Sequence, residues 1–87
     1  MGFKRLRGVP LPEKRQGLIR YTCLCCDSQP GWVQEKIGRL CREIGGEYAD
    51  ALREVMCTTN SITAISMRHY VSEHVLYEMR RKFYTRW

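Results

Sequence analysis

Between Pro30 and Gly45-Gly46 the chain repeats apolar residues with a helical period, and no other segment constrains the fold as tightly. Val33, Ile37, Leu40, Cys41 and Ile44 fall at i, i+4, i+7, i+8 and i+11, one stripe of an α-helix. Asp27 and Ser28 offer N-cap oxygens ahead of the stripe, and Pro30 suits a first turn, where its missing N–H is not needed. Gly45-Gly46 ends it, because glycine enters left-handed backbone without a Cβ penalty. A second helix is expected from about Glu47 to Cys57. Its one side carries Tyr48, Ala51, Leu52, Val55 and Met56, and Glu47 and Asp50 lie at its positive N-terminal end. Neither helix buries its stripe alone, so the two are expected to pair as an αα-hairpin.

The rest of the chain also reads as helix. Pro12 and Glu13 can open a helix that continues through Leu18–Cys26, with Leu18, Tyr21, Thr22 and Cys25 on one face. Residues 1–12, rich in Lys, Arg and Gly, read as a basic flexible arm, and residues 13–87 as one helical domain. Eighty-seven residues with 44% apolar content are enough for one packed interior but leave little room for a deep, walled catalytic pocket. The expected class is therefore all-α, a small bundle of four to five helices without enzymatic activity. No apolar run is long enough to span a bilayer, and the N-terminus lacks the apolar core of a signal peptide. A cytoplasmic protein is the expectation.

Five cysteines raise the question of metal. Cys23 and Cys26 form a Cys-x-x-Cys pair, but Cys41 and Cys57 stand apart with no Cys or His three residues from either. His69 and His74 do not complete the spacing of a closed tetrahedral zinc site. The odd count argues against a disulfide framework, and no βαβ pattern supports a redox pair. Cys41 lies within the apolar stripe, where a free cysteine behaves as a small hydrophobe. No metal or cofactor is expected; a zinc-stapled module is the alternative that Cys23 and Cys26 keep open.

Charge is concentrated at the two ends. Residues 1–20 hold Lys4, Arg5, Arg7, Lys14, Arg15 and Arg20 against Glu13 alone. Residues 61–87 hold Arg68, Arg80, Arg81, Lys82 and Arg86 against Glu73 and Glu78, while the middle is mildly acidic. Such segregation, with a net charge of +6, suits contact with a polyanion.

Thr58-Thr59-Asn60-Ser61 interrupts the helical pattern and supplies caps for a short helix that ends near Tyr70. Ser72 caps a further helix from Glu73, with Leu76, Met79 and Phe83 on its inward side. Residues 61–85 resemble a helix-turn-helix DNA-binding motif. The small residue of its first helix is Ser66, the apolar residue of its turn is Val71, and the two anchors that follow are Leu76 and Met79. Val71-Ser72 is similar to the Val-Ser pair that often opens recognition helices, while Tyr70 stands where glycine is usual. More loosely, the segment looks like the C-terminal domains of sigma factors and small phage or mobile-element transcriptional regulators.

The resemblance implies a sequence-specific partner, double-stranded DNA, with residues 73–84 as recognition helix. Glu73, His74, Tyr77, Glu78 and Arg81 would then face base edges. Arg68, Ser72, Arg80, Lys82 and Arg86 would hold phosphates, and Lys4, Arg5 and Arg7 would follow the minor groove as an arm. Glu73 and Glu78 repel phosphate, so a homodimer or a tether to a transcription-complex protein is expected to add affinity. No small-molecule substrate or membrane partner is expected. Two other readings compete. One is a helical protein–protein interaction module or phage-type inhibitor that does not bind DNA. The other has Tyr70, Tyr77, Phe83, Tyr84 and Trp87 stack on unpaired bases, although Phe83 and Trp87, four apart, suit a core or an interface better.

Overall fold

Helix α2 (Gly31–Gly45) and helix α3 (Ala49–Cys57) carry the two stripes and lie against each other. In the computed structural model, which describes residues 13–87, they are joined by a 3-10 turn over Gly46–Tyr48. Val33, Ile37, Leu40 and Cys41 are buried on one side of the pair, with Ala51, Leu52, Val55 and Met56 on the other. Ile44 and Tyr48 pack at the margin. Gly46 has φ +56° and ψ −120°, a positive-φ backbone that favours glycine but not the αL form expected at the end of α2, and its N–H donates to the Arg42 carbonyl.

The start of α2 differs from expectation. Asp27 and Ser28 belong to a separate 3-10 turn, Cys26–Ser28, and neither caps α2. Pro30 holds the N-cap position instead, and its carbonyl accepts the N–H groups of Val33 (3.0 Å) and Gln34 (3.2 Å). The second helix is also shorter than expected, because Glu47 lies in the 3-10 turn and only Asp50 remains in its first turn.

Helix α1 (Glu13–Leu24) buries a different face from the one its sequence suggested. Leu18 and Tyr21 are 64% and 59% exposed, whereas Gln16, Ile19 and Cys23 are buried, followed by Cys26 in the turn beyond. The reason lies on α3. The last carbonyls of a helix have no intrahelical partner, and the negative end of the helix dipole favours a cation there. Arg20 fills that position. Its Nη1 donates to the carbonyls of Val55 and Met56, the latter at 3.0 Å, and its Nη2 to that of Thr58 at 2.8 Å. Turning Arg20 toward α3 brings Ile19 and Cys23 into the core and leaves Leu18 and Tyr21 outside.

The remaining helices are α4 (Ile62–His69) and α5 (Glu73–Arg86). Ile65 anchors α4, while Leu76, Met79, Phe83 and Tyr84 bury one side of α5 against α2, α3 and α4. The described chain is thus an all-α bundle of five helices around one apolar core. The sequence-assigned arm, with Lys4, Arg5 and Arg7, lies outside the described residues. Among those described, no helix is long and apolar enough to cross a membrane.

Arg20 joins α1 to the end of α3 by hydrogen bonds to three carbonyls. Arg20→Met keeps the aliphatic stem and removes the charged donors. It is expected to cost about 2 kcal/mol in urea unfolding, the usual range for hydrogen bonds from a charged group. An unchanged urea midpoint would show that the cap contributes nothing.

Candidate nucleic-acid interface

The segment from Ser61 to Arg86 is built from two capped helices and a three-residue connection. Ser61 Oγ accepts the Ala64 N–H at 3.1 Å and opens α4; Ser72 Oγ accepts the Val75 N–H at 3.2 Å and opens α5. Between them Tyr70 adopts φ 55°, ψ 43°, a left-handed conformation in place of the usual glycine. Val71 then turns inward and is buried. Ser66 ties the corner twice: its carbonyl accepts the Val71 N–H (3.1 Å), and its hydroxyl donates to the Val71 carbonyl. A small residue was expected here for close helix approach; the hydroxyl also binds the turn itself.

Burying Leu76, Met79 and Phe83 forces the other side of α5 outward. Ser72, Glu73, His74, Tyr77 and Lys82 are exposed there, with Glu78 and Arg81 half-buried beside them. All five residues assigned to base reading therefore share one side of α5. Glu73 Oε1 accepts the Thr63 hydroxyl of α4 at 3.2 Å, and Arg81 is ion-paired with Glu78. The side chains of His74 and Lys82 make no hydrogen bond or ion pair among the described residues.

The residues assigned to phosphate contact are not brought together as one patch. Ser72 caps α5, and Lys82 is exposed. Arg80 lies on the flank of α5 near Arg20, half-buried, with its guanidinium 5.0 Å from the Tyr77 ring centre. Burial lowers its pKa from the ordinary arginine value, opposed by the Tyr84 and Tyr77 hydroxyls, with Arg20 nearby. Arg86 lies on the opposite flank and reaches Glu43 of α2 at 3.0 Å. Arg68 is turned away from α5 altogether and is ion-paired with Glu54 of α3.

Glu54 is the residue that sequence reasoning missed. Besides Arg68, it accepts from Asn60 Nδ2 at 3.0 Å and contacts His69 Nε2 at 2.9 Å. Its partners are 6, 14 and 15 residues away, so no local spacing signals the cluster. The hydrogen bond to His69 is the main cause that holds the Glu54 carboxyl below the ordinary range, against the opposing effect of burial. The cluster fixes α4, and through the turn the starting point of α5.

Cys23 and Cys41 are buried, and burial first, then Cys57 nearby, pushes each thiol up to about 12. Cys57 is pushed up to about 11, again mainly by burial. Arg53 Nη2 donates to Cys26 Sγ at 3.6 Å. Among the described residues no group of three or more His, Cys, Asp or Glu side chains is placed to hold a metal ion. At neutral pH Cys23, Cys41 and Cys57 are protonated and serve as small apolar packing groups.

Two measurements test this geometry. A carboxyl with a lowered folded pKa contributes stability above its unfolded pKa of about 4.3, and the contribution fades as pH falls through the lower folded value. Glu54→Gln should therefore lower the urea midpoint at pH 6, and the gap from wild type should narrow toward pH 3. A constant gap would contradict the charged cluster. The second concerns Tyr70, which is 93% exposed and whose side chain makes no hydrogen bond, ion pair or ring contact among the described residues. Left-handed backbone costs a side-chain-bearing residue about 1–2 kcal/mol. Glycine removes that cost but adds unfolded-state entropy. Tyr70→Gly is expected to stabilise the protein by about 0.5–1 kcal/mol net, read by thermal or urea unfolding; clear destabilisation would show that Tyr70 supports the fold through contacts.

No protein-family model, curated protein or solved structure matches the chain.

Proposed function

We propose that residues 61–85 bind double-stranded DNA, with the N-terminal half of α5 in the major groove, and that the protein regulates transcription. The observation that carries this reading is the outward side of α5. Glu73, His74, Tyr77, Glu78 and Arg81 stand together beside a tightly tied turn, while α2, α3 and α4 clamp the opposite side. A rigid helix with one free polar side is what groove reading requires. Glu73 and Glu78 can accept from cytosine N4, His74 can donate or accept, and Arg81 can reach a guanine edge once it leaves Glu78. That exchange costs little, because exposed ion pairs are worth roughly 0–1 kcal/mol.

The two flanks have a matching role. A helix lying in the groove has a phosphodiester chain on either side, and Arg80 and Arg86 lie on opposite flanks of α5. Lys82 adds a cation with no partner among the described residues, and Ser72 lies at the helix N-terminus, where backbone N–H groups favour phosphate. Arg68 is the weakest member of the phosphate set, because leaving Glu54 would disturb the fold. The likeness to small phage and mobile-element regulators supports a regulator of that type, acting as a dimer or within a larger transcription complex.

Fluorescence anisotropy with a labelled random-sequence duplex tests the proposal. Binding should weaken steeply as salt rises, and Lys82→Ala should lower affinity and reduce the salt slope by about 1. Selection from a random pool should return an enriched motif, and Glu73→Ala with Arg81→Ala should relax it. Absence of duplex binding at low salt would favour a protein–protein module.

A further inference from the structure

The outer side of α2 carries a second constellation, separate from the face of α5. Trp32, Glu35, Lys36, Arg39 and Arg42 line an open cleft of about 540 Å³. Trp32 is 68% exposed and has no ring partner among the described residues, which is unusual for so large an apolar surface. The cations beside it are only loosely engaged. Arg39 reaches Glu43 at 3.9 Å with both side chains largely in water, and Lys36 Nζ lies 4.2 Å from the Trp87 ring centre. Trp87 in turn tilts on the buried Phe83, with ring centres 5.8 Å apart, so one wall of the region is anchored to the core. Arg86, paired with Glu43, extends the cationic edge toward the end of α5.

We propose that this cleft binds single-stranded nucleic acid, with one unpaired base stacked on Trp32 and the adjoining phosphates held by Lys36, Arg39 and Arg42. An open indole face is a platform for any base, and cations along one helix can follow a phosphodiester backbone. Guanidinium groups suit phosphate because two N–H donors meet two oxygens. Glu35, the one carboxylate lining the cleft among the described residues, repels phosphate but accepts from the exocyclic amine of a stacked cytosine or adenine. An acidic peptide would satisfy the cations and leave the indole in water. A duplex keeps its bases stacked within the helix and offers the indole no face. The site lies outside residues 61–85, so it stands or falls independently of duplex binding by α5.

Trp32 is its own reporter. In a Trp87→Phe background, titration with a 12-nucleotide oligodeoxycytidylate should quench Trp32 emission saturably. Affinity should fall on the order of tenfold between 50 and 200 mM salt, as expected for three phosphate contacts. With a dye-labelled oligonucleotide and anisotropy detection, Trp32→Ala should weaken binding about tenfold, and Arg39→Ala with Arg42→Ala at least as much. Tyr21→Ala, an exposed position on α1 away from the cleft lining, should leave this binding unchanged. Equal quenching by deoxycytidine monophosphate, by the matched duplex or by polyglutamate would overturn the proposal, as would full oligonucleotide affinity in Trp32→Ala.

Discussion

The last turn of α3 is the joint on which the bundle depends. This helix has only nine residues, too few to be stable alone in water, and its terminal carbonyls need partners. Arg20 supplies them from α1, and Glu54, one turn before the end, reaches across to Asn60, Arg68 and His69. Two opposite charges on neighbouring helices thus fix α1 and α4 to the same short segment. The position of α4 fixes the turn, and the turn fixes which side of α5 faces outward. One of the many N-terminal cations is therefore an internal strut.

The same logic divides the C-terminal cations. Arg68 is held by a largely buried carboxylate and belongs to the fold, whereas Arg81 and Arg86 have exposed partners and exchange them cheaply. Lys82 has no partner to lose among the described residues. A polyanion would meet graded resistance at these cations: none at Lys82, little at Arg81 and Arg86 on α5, and a structural penalty at Arg68 on α4. Tyr70 adds an opposite kind of cost. A large exposed aromatic side chain in left-handed backbone adds nothing to the core.

Much of the framework was legible in the sequence because it rests on local rules. The stripe of α2, the glycine at its end, the buried side of α3, the serine caps of α4 and α5 and the inward Leu76, Met79 and Phe83 all follow from period and capping chemistry. Helix α1 did not follow, since Leu18, Tyr21, Thr22 and Cys25 make as regular a stripe as Gln16, Ile19 and Cys23. The choice is made by Arg20, whose carbonyl partners lie 35 to 38 residues away. Glu54 was invisible for the same reason. The outward side of α5 could be read residue by residue, but the division of its cations between flanks could not, because it depends on where α1 and α2 lie. Trp32 carried no spacing signal at all: a lone aromatic on a polar helix side gains meaning only from the cleft and cations around it.

We propose that the bundle presents one side of α5 to duplex DNA. Backbone amide chemical shifts of nitrogen-15-labelled protein, followed while a selected duplex is added, test it most directly. The largest shifts are expected at Tyr70 and at residues 72–82, with α3 and the buried part of α1 unmoved. Shifts confined to α1 or α2, or none at any duplex concentration, would contradict it.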